Sequence, residues 1–145
     1  MSTAQELIAR LRRNREFTVE LEPAKSDSQP AVTVTCLRPT ESDVARMTRQ
    51  RDDNPDFVTT SVEDDDVARA AVGWSGISEA TLFGAAVGSS DPIDFDQKLW
   101  AALAADHRDW YFKVAMKMLE AITEHNKKRA EDAKNSAAAS MPSPE

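Results

Sequence analysis

The run from Arg108 to Asp132, "RDWYFKVAMKMLEAITEHNKKRAED", constrains this chain more than any other stretch. Trp110, Val114, Met118 and Ile122 recur at steps of four, and Phe112, Met116 and Leu119 widen the same side. Lys113, Lys117, Glu120, Glu124 and Lys127 or Lys128 form a charged stripe elsewhere on the cylinder. No proline or glycine interrupts the run. That spacing predicts one long amphipathic helix whose apolar face must be covered. The chain before it has to supply the cover, or leave some of the face to a partner.

Two alternating runs are the natural cover. "EFTVELEP" places Phe17, Val19 and Leu21 on one side, and "AVTVTCLRP" does the same with Val32, Val34 and Cys36. Period-2 alternation in Val- and Thr-rich runs predicts half-buried strands. Joined by the polar "AKSDSQP", they read as an antiparallel hairpin over about 16–38. The expected class is therefore α+β: an N-terminal hairpin, then a mainly helical part ending in the long helix. A single domain over 1–134 is expected, with a flexible tail at 135–145, where "NSAAASMPSPE" is small, polar and proline-bearing.

Shorter helices follow from caps and spacing. Thr3 and Glu6 stand as a capping box for a helix within residues 1–15, with Leu7, Ile8 and Leu11 as its stripe. Arg10, Arg12, Arg13 and Arg15 gather at its C-terminal end, where they suit the helix dipole. Thr40 and Asp43 cap "ESDVARMTRQR", with Pro55 in "DDNPDF" as the breaker. Ser61 caps "VEDDDVARAAV", which runs into Gly73. Residues 77–88 read as loop with one helical turn. Asp94, with Gln97, caps "FDQKLWAALAADH", whose buried face is Leu99, Trp100 and Leu103. In "VGWSGI", Val72 ends a helix, Gly73 takes the positive φ of a helix C-terminus, and Gly76 frees the exit. Trp74 between them reads as a structural anchor, with Phe95 in the same role.

The sequence offers little to chemistry. Its net charge is -7, which disfavours binding to bare nucleic acid. A single cysteine, Cys36, sits in a strand pattern and reads as buried structure. His107 and His125 lie eighteen residues apart along helical sequence, too far to share a metal within the chain. Seven acids fall between Asp52 and Asp66 with no Lys or Arg among them, but consecutive acids do not converge on one centre. The glycine and distal glutamate of a calcium loop are missing. No Walker loop, dinucleotide fingerprint, GxSxG, HExxH or CxxC occurs. Nor does any run approach the length of a membrane span, and no signal peptide is recognisable. The expectation is a non-enzymatic chain without cofactor, metal, nucleic-acid or membrane partner. Its partner surface is expected on the last helix, at Met116, Met118, Leu119 and Ile122, and in the region around Trp74.

One arrangement is familiar. A hairpin leads to "RPTESDVARM", an acidic connector, "AAVGWSGI", a gap, "DPIDFDQKLWAAL" and a final amphipathic helix. Over residues 16–125 this order resembles the tail assembly chaperones of long-tailed bacteriophages and prophages. Val72, Trp74 and Gly76 fit that family's W-x-G segment, and Phe95 with Leu99 fits the element after the gap. The chain departs from the pattern in two places. "SEATLFGAAVGSS" is longer and more apolar than the usual turn, and Pro92 stands three residues before Phe95. The resemblance implies an adaptor that binds the tape measure protein and tail tube subunits during tail assembly. It would act in the cytoplasm of the bacterial host and be absent from the mature virion. Two alternatives stay open: a virion structural part such as a head-tail connector or tail-completion protein, or a small acidic regulator that binds a host factor.

Overall fold

The computed structural model describes residues 3–27, 29–50, 53–54 and 56–140. Along the chain the elements are α1 (Ala4–Arg13), β1 (Glu16–Glu22), β2 (Val32–Leu37), α2 (Glu41–Met47), β3 (Thr48–Gln50) and β4 (Val58–Thr60). There follow α3 (Asp64–Ala70), β5 (Ala71–Ser75), α4 (Glu79–Phe83), α5 (Gln97–Asp106) and α6 (Arg108–Ser140). The class is α+β, as the alternating runs and the helical periodicity require.

β1 and β2 pair antiparallel, with Val19 opposite Val34 and Phe17 opposite Cys36. β5 pairs with the other edge of β2, so the sheet order is β1-β2-β5. β3 and β4 make a separate two-stranded ribbon. Val19, Leu21, Val32, Val34 and Cys36 are all buried, and they join one core with Trp110, Val114, Met118 and Ile122 of α6. Val67 and Ala70 of α3, with Trp100, Leu103 and Ala104 of α5, belong to the same core, as do Met47, Ala71 and Ile77. The register of β1 shifts between Glu20 and Glu22, and the carbonyl of Leu21 at that bulge accepts a 2.7 Å hydrogen bond from Lys113 Nζ. The long helix is thus pinned to the sheet at the place where the ladder is interrupted.

Several expected boundaries are corrected. The helix begun at Thr40 ends at Met47, and Thr48–Gln50 is strand. Its last carbonyls are taken from outside: Thr48 Oγ1 donates to Val44 O, and the Ser61 N–H donates to Met47 O. The expected breaker, Pro55, lies outside the described residues. The helix expected to run from Ser61 to Gly73 is only α3, and Ala71–Ser75 is the third strand of the sheet. Val72 therefore ends no helix. An open edge on β2 leaves backbone N–H and C=O groups without partners, and pairing with β5 satisfies them. The cap of α5 is Asp96, which accepts from the Leu99 N–H, rather than Asp94. Residues 135–140, expected in a flexible tail, continue α6; alanine, the strongest helix former, fills 137–139. Residues 141–145 lie outside the described residues.

The glycine roles in "VGWSGI" change with the strand. Gly73 has no positive φ, and a Cβ built on it meets nothing within 4 Å. The left-handed residue is Gly76, at φ 84°, where an added Cβ would lie 2.2 Å from the Ala31 carbonyl oxygen. Gly76→Ala should therefore cost about 1–3 kcal/mol, from backbone strain and from pushing away the Ala31 backbone that leads into β2. Gly73→Ala should stay neutral or gain up to about 1 kcal/mol by stiffening the unfolded chain. Urea midpoints of the two variants, measured side by side, check this; equal midpoints would contradict it.

Candidate partner-docking surface

The three tryptophans each tie one element to another through the indole N–H. Trp74 Nε1 donates to Ile93 O at 2.7 Å, and its ring meets Phe95 edge-on with centroids 5.0 Å apart. Trp100 Nε1 donates to Val67 O at 3.1 Å, and Trp110 Nε1 to Glu22 Oε1 at 2.9 Å. An indole buries a large apolar area and needs one acceptor, so it suits a junction between elements. Trp74 and Phe95, expected as anchors, are both half-buried and in contact with one another. They line a shallow depression of about 520 Å³ with Pro30, Ile77 and Pro92.

The cysteine and the two histidines make structural contacts. Cys36 is fully buried, and burial pushes its thiol up to about 12, so it stays protonated. His107 stacks on Trp110, centroids 4.3 Å apart, with Nδ1 3.0 Å from Leu103 O. His125 lies far along α6, 3.1 Å from Glu41 Oε2, and Arg129 reaches the same carboxylate oxygen at 3.4 Å. The hydrogen bond with His125, then the charge of Arg129, hold the Glu41 carboxyl below its ordinary value. These contacts fasten the start of α2 to the outer half of α6. Among the described residues no group of three His, Cys, Asp or Glu is placed to hold a metal ion, and no helix is long and apolar enough to cross a membrane.

An exposed apolar surface lies on α6. The helix turns two apolar stripes in different directions. Tyr111, Val114, Met118 and Ile122 face the core, Val114 and Met118 with no exposed area. Phe112 and Met116 are 58% and 59% exposed, and Leu119 beside them is half-buried. The expected partner set is thereby split. Met118 and Ile122 belong to the core, because the sheet and α5 cover that side of the helix; Met116 and Leu119 lie on the outer stripe, and Phe112 joins them. Spacing alone contains this division: 112, 116 and 119 follow i, i+4, i+7, as do 111, 115 and 118 one residue earlier.

Charge borders the outer stripe. The Arg108 guanidinium sits 4.0 Å from the Tyr111 ring centroid and 5.6 Å from that of Phe112, and it pairs with Asp64 at 3.2 Å. Lys117 pairs with Glu120 at 3.3 Å. Tyr111 donates to Val62 O at 2.9 Å, which fixes the helix where the stripe begins. A rigid helix thus presents Phe, Met and Leu in one row with mixed charge on its flank. Such a row accepts the apolar face of another amphipathic helix, and a methionine at its centre adapts to varied side chains.

No family model matches this chain, and neither a curated protein nor a solved structure does.

Proposed function

We propose that this chain is a phage tail assembly chaperone, a non-enzymatic adaptor that holds the tape measure protein and tail tube subunits during tail morphogenesis. The observation that carries the proposal is the unpartnered stripe of Phe112, Met116 and Leu119 on α6. A tape measure protein is long and helical in the family that the sequence resembles, and an amphipathic helix is the natural occupant of such a row. The order of "RPTESDVARM", "VGWSGI" and "DPIDFDQKLW" supports the same reading. So does the acidic net charge, which keeps an adaptor soluble beside an aggregation-prone partner. It acts in the cytoplasm of the bacterial host and leaves before the virion is complete.

Co-expression with fragments of the tape measure protein from the same phage or prophage tests this. The wild-type chain should retain at least one fragment, and Phe112→Asp should release it with the circular dichroism spectrum unchanged. Mass spectrometry of purified virions should find the chain absent or scarce. A stoichiometric virion band would instead identify a structural part of the particle. Failure to retain any fragment, with capture of a host protein through the acidic face, would identify a regulator.

A further inference from the structure

Two arginines stand opposite each other at the open end of the hairpin. The β1–β2 ladder runs one step beyond the pair of Glu16 and Leu37, where the Arg38 N–H donates to Arg15 O at 2.7 Å. Residues directly opposite on paired strands share one side of the sheet, and like charges there repel. Backbone carbonyls hold both side chains: Arg15 Nη1 donates to Arg38 O and Arg38 Nη1 to Pro39 O, each at 2.9 Å. That leaves the rest of each donor fork open. Both residues are half-buried. Burial, then the charge of Arg15, hold Arg38 below the ordinary arginine value, while Glu41 acts the other way. Among the described residues neither guanidinium is in an ion pair.

The acids nearby are already engaged or lie at the surface. Glu41 is shared by His125 and Arg129. Asp43 and Asp66, which line a small hollow with Arg15, pair with Arg46 and Arg69. Both arginines also line a cleft of about 1280 Å³ between the end of α1 and the outer half of α6. Every carboxylate of this cleft, on Glu16, Glu41, Glu124, Glu131 and Asp132, belongs to an exposed residue. Lys127 and Lys128 stand three and four residues from the α6 acids, so charge on that rim is balanced along the helix. The half-buried ionisable residues of the cleft are Arg15, Arg38 and His125, and none of them is an acid. Leu11 and Phe17 give the cleft an apolar side. We propose that Arg15 and Arg38 bind the phosphate group of an organic phosphate monoester, with its organic part along Leu11 and Phe17. Two guanidinium forks match the double charge of a phosphate better than the single charge of a carboxylate, and a bound dianion relieves the repulsion between them. The cleft is far larger than a phosphate ion, which leaves room for the body that carries it. The proposal uses no residue of the outer stripe on α6 and stands apart from the tail assembly reading.

NMR titration of the full chain at constant ionic strength tests it, with phenyl phosphate, inorganic phosphate and acetate as probes. Near neutral pH a phosphate monoester is largely doubly charged. Phenyl phosphate should saturate with a dissociation constant of about 1 mM or lower. It should shift the amide signals of Arg15, Phe17, Arg38 and Thr40 and the side-chain Nε signals of the two arginines. Inorganic phosphate should shift the same signals but bind about tenfold more weakly, since it leaves Leu11 and Phe17 uncovered. Acetate should bind about tenfold more weakly still. Arg15→Gln and Arg38→Gln should each weaken phenyl phosphate by about tenfold or more. Arg38→Lys, which keeps the charge and loses the fork, should fall between Arg38→Gln and the wild type. Arg12→Gln, exposed on α1 and outside the cleft, should bind as the wild type does. A wild type with no saturable shift at these residues would overturn the proposal, and so would binding untouched by both glutamine variants. Inorganic phosphate binding as tightly as phenyl phosphate would make this a site for the free ion and overturn the organic assignment. Acetate binding as tightly as inorganic phosphate would overturn the choice of a dianion.

Discussion

Trp100→Ala is expected to lower the unfolding free energy by about 3–5 kcal/mol, the range for emptying a large aromatic site in a packed core. Trp100 has no exposed area and is the largest fully buried side chain among the described residues. Its role is wider than volume. α3 stops at Ala70 and passes directly into β5, with no glycine to close its end. A helix leaves its last four carbonyls without intrahelical partners, here those of Val67, Ala68, Arg69 and Ala70. Trp100 Nε1 takes the first of these, and Gln97 Nε2 reaches Ala68 O and Arg69 O, each at 3.3 Å. The end of α3 is therefore capped from α5, about thirty residues away in sequence. Removing the indole opens a cavity and strands the Val67 carbonyl as well. Trp100→Phe separates the two effects. It keeps most of the volume and loses the donor, so its cost should be about 1–3 kcal/mol. Urea unfolding followed by circular dichroism gives both numbers. Total stability for a domain is about 5–15 kcal/mol, so the alanine variant should be partly unfolded at physiological temperature. A loss below about 1 kcal/mol for Trp100→Ala would show that the site collapses or was never tightly packed.

The same capping explains what could be read from the sequence and what could not. α6 and the β1–β2 hairpin are local patterns, a period near 3.6 and a period of 2, and both lie where the spacing puts them. The Thr3–Glu6 and Thr40–Asp43 boxes are local too, and both form. The ends of α2 and α3 are different. Apart from Val44 O, which the adjacent Thr48 takes, their carbonyls are satisfied by Ser61, Trp100 and Gln97, and nothing local in the sequence announces those three. "AVGWS" carries no clear alternation, so only the open edge of β2 makes it a strand. Gly73 looked like a helix terminator for the same reason. Gly76 earns its place through the approach of Ala31, a contact between segments far apart in sequence. On α6 the helix was evident, while the direction of each stripe depended on where the sheet and α5 lie.

That direction sets up opposite results for two methionines separated by a single residue. Met118→Asp should unfold the protein or cost about 3–5 kcal/mol, because it places an unpaired carboxylate at a fully buried position of the apolar core. Met116→Asp should change stability by only about 0.5 kcal/mol, as expected for an exposed helical position. If α6 docks its partner through the outer stripe, Met116→Asp should still weaken capture of tape measure fragments by at least about tenfold, since a charge at the centre of an apolar contact is desolvated without a mate. Thermal unfolding and pull-down on the same two preparations read both effects. Three results are possible beyond the expected pair, and each has a definite meaning. A native Met118→Asp protein would place that residue outside the core. A collapsed Met116→Asp protein would mean that the outer stripe is covered within the fold. A folded Met116→Asp protein with undiminished capture would move the docking surface off α6. The two substitutions share chemistry, helix and neighbourhood, so any difference between them reports the face alone.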